Sequence, residues 1–171
     1  NSKFTNQKIF VVNRSAIAIF GFNETDAPKP DSYFDKVYET PNAALNKKFS
    51  HQLVETICSI KNSDRVYLVR PIPEMVVNVP KTISRSLLLG REDPQVSISL
   101  ADYHARQQVV WAAQDEAASR CGVHILDPLP YLCHAGRCWG SKAGRPIYKD
   151  DNHLSEYGNK LLVPMFKQAW A

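Results

Sequence analysis

Hydrophobic and polar positions along this chain of 171 residues follow two different periods. Short runs of β-branched and aromatic residues predict buried strands, at residues 8–12 (KIFVV), 65–69 (RVYLV) and 123–126 (VHIL). Elsewhere apolar residues recur at three- and four-residue steps and predict helices, over residues 42–60, 80–89, 99–119 and 155–170.

The order of these elements predicts the fold class. Strands alternate with helices, which is typical of an α/β fold with a parallel sheet and helices on both faces. Three strands are fewer than the about five of a doubly wound sheet. We therefore expect a single but partial domain over residues 1–171, with its first strand and the adjacent helix missing.

The composition argues against a membrane-spanning chain and against a nucleic-acid-binding protein. No apolar run approaches the ~20 residues that span a bilayer, so no membrane helix is predicted. The net charge is +4, and the lysines and arginines form no block. No nucleic-acid partner is therefore predicted.

The four cysteines leave some alternatives open. Cys133 and Cys138 lie in a segment rich in proline and glycine, DPLPYLCHAGRCWG, which favours a disulfide and an oxidising compartment. A zinc site that includes His134 is the alternative, but it needs further ligands at recognisable spacing. Cys58 and Cys121 lie near the ends of predicted helices, where they either pair or stay as buried free thiols.

The run IYKDDNHLSEYGNKLL carries the most informative chemistry. Asp150 precedes His153 by three residues, just before the last predicted helix. A carboxylate beside an imidazole fixes its tautomer, and the imidazole can then take a proton from a hydroxyl nucleophile. A second interpretation is that Asp150 and Asp151 only cap the helix, because acidic residues stabilise a helix N-terminus.

This run resembles the last sequence block of the SGNH (GDSL-type) hydrolase superfamily, through Asp150, His153, Leu154, Ser155 and Gly158. The runs VYLVRPIPEM, SRSLLLGR and LDPLPYLCHAGRCWG are similar to the periplasmic SGNH domains fused to acyltransferase-3 membrane domains. The resemblance covers about the last two-thirds of the chain. It implies a flavodoxin-like three-layer α/β/α fold with a parallel sheet, with His153 as general base and Asp150 as its partner.

The resemblance also implies an activity. Members of this branch O-acetylate surface polysaccharides through an acyl-serine. The implied partners are a polysaccharide acceptor and a membrane acyltransferase domain that delivers the acyl donor, and no metal or organic cofactor is needed. The implied location is periplasmic or otherwise extracytoplasmic, tethered to the inner membrane.

One departure from the family affects the nucleophile. No Gly-Asp-Ser occurs in the chain, so we expect the serine on a missing N-terminal segment and this fragment alone to be inactive. None of Ser50, Ser84, Ser86 and Ser141 follows a strand as a nucleophile elbow would. The alternatives to an acetyltransferase are a non-catalytic SGNH-like carbohydrate-binding or structural module, and a carbohydrate acetylesterase.

Further site candidates come from three other segments. Asn13 or Arg14, in VVNRSAIAIFG, falls where the family places an oxyanion-hole block. Arg70 and Glu74 flank the RPIPEM turn and either shape the substrate pocket or pair with each other. Trp139 is a candidate substrate contact. The other two tryptophans, Trp111 and Trp170, lie in predicted helices and are interpreted as core residues.

Overall fold

The centre of the protein is a parallel sheet, seen in a computed structural model that describes residues 7–23, 29–34, 36–60 and 65–170. The strands are β1 (Ile9–Val11), β2 (Val66–Val69), β3 (Ser97–Ser99), β4 (His124–Leu126), β5 (Cys133–His134), β6 (Arg137–Trp139), β7 (Ser141–Lys142) and β8 (Arg145–Pro146). The helices are α1 (Ile17–Phe20), α2 (Ala43–Cys58), α3 (Val79–Leu88), α4 (Leu100–Cys121), α5 (Leu129–Leu132), α6 (Glu156–Leu161) and α7 (Val163–Lys167), followed by a 3₁₀ turn at Gln168–Trp170.

The parallel sheet has the order β1-β2-β4. Phe10 pairs with Tyr67, and Tyr67 pairs with His124. Side chains of successive residues in a strand point to opposite faces. Val66 and Leu68 therefore share one face, where they pack against α2 and α4, while Tyr67 lies on the other face beside the C-terminal segment.

Helices therefore cover both faces of the sheet, and the predicted α/β/α arrangement is confirmed. The three predicted strands are present within a residue or two, as are the predicted helices that became α2, α3 and α4. Gly122 ends α4 in the left-handed region, at φ 73°, as its position after the last apolar residue indicates. Among the described residues, none of the helices has both the length and the apolar character that crossing a membrane requires.

The last predicted helix is wrong in one respect. Instead of one helix over residues 155–170 there are two short helices, α6 and α7, and a 3₁₀ turn. Pro164 lies in the first turn of α7. Proline has no N–H to donate and its ring clashes with the preceding turn, so it starts a helix but does not sit inside one.

The cysteine segment, rich in proline and glycine, forms a hairpin. Cys133 and Cys138 are directly opposite each other in the antiparallel pair β5-β6 and form a disulfide. Ala135 and Gly136 make the turn with φ of 50° and 73°, the positive values that a tight two-residue hairpin needs. Strand β3, which sequence reasoning missed, adds to this hairpin through β6.

The second cysteine pair is also joined. Cys58 and Cys121 form a disulfide between the last residues of α2 and α4. This decides the alternative that the sequence left open. Because the sulfur atoms of Cys133 and Cys138 are bonded to each other, they cannot act as the thiolate ligands of the zinc alternative.

A close contact of α6 generates a prediction about stability. A Cβ atom on Gly158 would lie 2.1 Å from the carbonyl oxygen of Ile147. Two nonbonded atoms at this distance overlap sterically. Gly158→Ala should therefore lower the free energy of unfolding by about 1–3 kcal/mol, the usual cost of overpacking. Chemical denaturation measures this. Lys160→Ala, an exposed change on the same helix, is the control and should cost much less; equal losses for both variants would contradict the prediction.

Candidate active site

The segment after β2 is held in place by two buried tyrosines. Tyr103 donates its hydroxyl hydrogen to the carbonyl oxygen of Pro71 at 2.7 Å, and Tyr148 donates to that of Pro73, also at 2.7 Å. Burial raises the pKa of both phenols well above the ordinary value. Both therefore remain neutral donors, and the path of the chain that leaves β2 is fixed.

The loop with the Asp-x-x-His motif is attached to that segment by its backbone. The amide of Met75 donates to the carbonyl oxygen of Asp151 at 2.6 Å, and the amide of Val79 donates to that of Asp150 at 3.0 Å. Val79 is the first residue of α3, where backbone N–H groups have no partner within the helix. The loop therefore caps α3 and is positioned by it.

Asp150 and His153 form a hydrogen-bonded pair. The distance from His153 Nδ1 to Asp150 Oδ2 is 2.8 Å. An ionised carboxylate only accepts, so Nδ1 carries a proton, and in the neutral form of the ring Nε2 then presents its lone pair. Nε2 has no hydrogen-bond partner among the described residues, and the His153 side chain is 65% exposed. The arrangement can therefore take a proton from a hydroxyl group that approaches Nε2.

The other oxygen of Asp150 organises the loop. Asp150 Oδ1 accepts from the amides of Asn152 at 2.9 Å and His153 at 2.7 Å. Burial by itself would raise the pKa of Asp150, but these amide hydrogen bonds and the contact with the His153 ring outweigh it and hold the pKa below the ordinary value. The Asp150 carboxylate is therefore ionised near neutral pH.

The interpretation of Asp150 as a helix cap is wrong. Ser155 is the N-cap residue of α6, and its Oγ accepts from the amide of Gly158 at 3.1 Å. The Ser155 hydroxyl also donates to the backbone at residues 146 and 147. Asp150 instead closes a turn within its own loop, which leaves its second oxygen for His153.

His153 lies on a cleft with a volume of about 450 Å³. The cleft is at the carboxyl ends of β1 and β2, the edge where open α/β sheets bind ligands. Its apolar part includes Val69, Pro71 and Phe166, and Asn13 and Arg14 lie on its polar part. No serine is among the residues that line this cleft in the part of the chain described.

The side chains of Asn13 and Arg14 differ in which of their hydrogen-bonding groups already have partners. Arg14 donates through Nε at 3.0 Å and through Nη2 at 2.6 Å to the same oxygen, Glu74 Oε2. Asn13 Oδ1 accepts from the buried Ser15 hydroxyl at 2.6 Å. With its oxygen bound in this way, Asn13 keeps its amide hydrogens for a ligand in the cleft.

Glu74 is the buried anion of this region, and its side chain is 3% exposed. Besides Arg14 it binds Arg106 Nη2 at 3.1 Å and Gln107 Nε2 at 3.2 Å. The alternative in which Glu74 pairs with Arg70 is therefore wrong. Sequence reasoning missed Arg106 and Gln107, because only the fold brings these residues of α4 next to the segment after β2.

Arg70 lines the cleft, but its guanidinium group is turned toward α4. It pairs with Asp115, donates to the carbonyl oxygen of Trp111 at 3.0 Å and lies 4.0 Å from the centre of the Trp111 ring. Gln114, next to it, donates to the carbonyl oxygen of Val69. These contacts attach α4 to the end of β2.

The structure does not bring Trp139 into the cleft. Trp139 lies on β6, with its ring stacked 5.1 Å from the ring of His134. Trp111 is partly buried and donates to the Tyr103 hydroxyl at 3.0 Å. The interpretation of Trp170 as a core residue is wrong, because Trp170 is 65% exposed and stacks on Phe10 at the surface.

The lowered pKa of Asp150 predicts how stability depends on pH. A carboxyl whose pKa is lowered by folding stabilises the folded state above its unfolded pKa of about 4, and this contribution is lost as the pH falls through the lowered value. Wild type should therefore exceed Asp150→Asn in stability near neutral pH, and the difference should shrink below about pH 4. Denaturation at a series of pH values measures it. Asp31→Asn is the control, because the Asp31 side chain is exposed and has no hydrogen bond among the described residues; a pH-independent difference for Asp150→Asn would contradict the prediction.

Comparison with protein families matches residues 2–168 to the SGNH domain (fused to AT3 domains). Among solved structures, the periplasmic domain of the lipopolysaccharide acetyltransferase of Salmonella ser. Paratyphi A is similar, with a TM-score of 0.46 and 13% sequence identity over 95% of this chain and 83% of that one. No match was found among curated proteins. Since the family match spans nearly the whole length, the chain belongs to the family of SGNH domains that are fused to AT3 domains.

Proposed function

We propose that this chain supplies the Asp150–His153 pair for transfer of an acetyl group, through an acyl-serine, to a hydroxyl of a surface polysaccharide. The observation that carries the proposal is the geometry of His153. One ring nitrogen is held by Asp150 at 2.8 Å, and the other is without a partner in the described residues beside a cleft.

The reaction has two balanced halves. In the first, Nε2 of His153 takes the serine proton while the serine oxygen bonds to the acetyl carbonyl carbon, and the proton then passes to the leaving group of the donor. In the second, Nε2 takes the proton of the acceptor hydroxyl while that oxygen bonds to the acyl carbon. The serine oxygen then leaves with the proton. Asp150 stabilises the imidazolium in both halves.

Asn13 is our candidate for the group that binds the developing oxyanion. Its oxygen accepts from Ser15, so its amide hydrogens remain for a negative oxygen atom in the cleft. Arg14 already donates to Glu74 through two nitrogen atoms. In this proposal Arg14 therefore acts through its charge and its fixed position, and Asn13 acts as the direct donor.

The remaining parts come from outside the chain in this proposal. No Gly-Asp-Ser occurs in the 171 residues, so another segment supplies the serine. The AT3 domain of the family delivers the acyl donor. Two disulfides support an extracytoplasmic location, where thiols are oxidised.

The first test of the proposal removes the base. In a polypeptide that joins this chain to the serine segment and the AT3 domain, His153→Ala should reduce acetylation of the polysaccharide by roughly 10⁴-fold, as expected when a triad loses its base. The measurement is acetyl incorporated into polysaccharide per molecule of folded protein. His51→Ala, an exposed histidine on α2, is the matched control and should keep full activity.

The outcomes separate the rival functions. Full acetylation by His153→Ala would overturn the proposal in favour of a non-catalytic module. Release of free acetate from acetylated polysaccharide, with no transfer in the presence of donor, would favour the acetylesterase. Both products should disappear together in His153→Ala if water and sugar compete for the same acyl-serine.

The second test addresses the oxyanion donor. Asn13→Ala should lower kcat by roughly 100- to 1,000-fold, the usual loss for one oxyanion-hole donor, with little change in KM. Ser15→Ala should give a smaller loss, because it removes only the hydrogen bond that orients Asn13. Asn159→Ala is the control, since Asn159 also lines the cleft but has no role in the proposed chemistry. Equal kcat values for Asn13→Ala and Asn159→Ala would exclude Asn13 as the donor.

A further inference from the structure

Three consecutive leucines project from the C-terminal end of α3. Leu87, Leu88 and Leu89 are 55%, 88% and 66% exposed; we call them the leucine tip. Single exposed leucines are common on soluble proteins, but three exposed leucines at one helix end point to an interaction surface. Leu88 lies on the side of the helix opposite its buried residues, Val79 and Ile83, while Leu87 follows Ile83 by one turn and is still mainly exposed.

The tip is held rigid by its own backbone. The amide of Arg91 donates to the carbonyl oxygen of Ser86 at 3.0 Å, and the amide of Gly90 donates to that of Leu87 at 3.0 Å. Gly90 has a φ of 72°. These are the hydrogen bonds of a Schellman motif, in which an apolar contact usually forms between the residues at the positions of Ser86 and Arg91. Both are polar here, and the leucines stay uncovered in a fixed conformation.

Three basic residues lie near the tip along the chain. Lys81 and Arg85 are four residues apart on the face of α3 that also carries Leu88, and Arg91 follows the helix. The charged groups of these three residues make no hydrogen bond or ion pair with the described residues. The acidic neighbours are Glu92 and Asp93, so the region has three positive charges and two negative ones.

We propose that the leucine tip inserts into the surface of a phospholipid bilayer that contains anionic headgroups. An apolar projection with unpaired guanidinium groups beside it suits a soft, negatively charged surface, where leucines enter the acyl boundary and arginines bind phosphates. A rigid protein partner would need a matching groove for Leu88, and the unpaired charges of Arg85 and Arg91 favour the lipid surface.

This orientation affects the cleft. The first residue of α3, Val79, donates to the carbonyl oxygen of Asp150, and Leu88 lies nine residues further along the helix, or roughly 14 Å. Docking through the tip therefore holds the Asp150–His153 loop at a defined distance from the membrane surface. The inference rests on the exposure and charges of α3 and stands whether or not the proposed acetyl transfer is correct.

The test uses the full 171-residue chain with lipid vesicles. Wild type should co-sediment with vesicles of phosphatidylethanolamine and phosphatidylglycerol, and Leu88→Asp should weaken the apparent affinity roughly tenfold or more. Arg85→Gln and Arg91→Gln should each weaken it roughly fivefold, and only on vesicles that contain phosphatidylglycerol. Val163→Asp places the same charge at another exposed apolar residue and should bind like wild type.

A second readout locates the tip directly. Leu88→Cys gives a single labelling site, because all four native cysteines are in disulfides. An environment-sensitive fluorophore at this position should shift to the blue on adding vesicles, and one at Val163→Cys should not. Thermal unfolding of Leu88→Asp should match wild type, which separates loss of binding from loss of fold.

Two results would overturn the proposal. One is that wild type and Leu88→Asp bind vesicles equally well, or that neither protein binds them. The other is a wild-type dimer in sedimentation equilibrium that Leu88→Asp dissociates, which would make a second copy of the chain the partner of the tip.

Discussion

The attachment of the 149–154 loop to the segment after β2 is the constraint on which the site depends. It consists of two backbone hydrogen bonds, from Met75 and Val79 to the carbonyl oxygens of Asp151 and Asp150, and of the buried hydroxyl of Tyr148 on Pro73. The two hydrogen bonds to the 149–154 loop join backbone atoms, so side-chain changes within the loop leave them intact. The loop is thereby placed at the carboxyl edge of the sheet, where His153 lines the cleft and Asp150 is hydrogen-bonded to it.

Electrostatics divides the cleft into two parts. On one side the ionised Asp150 orients the exposed imidazole of His153. On the other, buried Glu74 binds Arg14 and Arg106, so that one negative charge faces two positive ones. A buried charge without its partner is far more costly than the pair. This cluster therefore fixes the position of Arg14, and with it the neighbouring Asn13, more firmly than an exposed ion pair would.

The disulfides join elements that the site needs at fixed positions. Cys58–Cys121 connects the ends of α2 and α4, the two helices that cover one face of the sheet. Cys133–Cys138 closes the hairpin that pairs with β3, directly before α4. Helix α4 also carries Tyr103, Arg106 and Gln107, which hold the segment after β2 from the other side.

Local patterns in the sequence determined the strands of the parallel sheet, the helices α2, α3 and α4, and the Asp-x-x-His pair, because each depends on neighbours within a few residues. The hydrophobic pattern of the last predicted helix continues through Pro164. It therefore predicted one helix where the proline divides the segment into two. Only the tertiary structure decided the rest. Four features depend on which distant segments pack together. They are the partners of Glu74, the pairing of Cys58 with Cys121, the position of Trp139 outside the cleft and the exposure of the leucine tip. Hydrophobic periodicity specifies which face of an element is buried, but it carries no information about which other element covers that face.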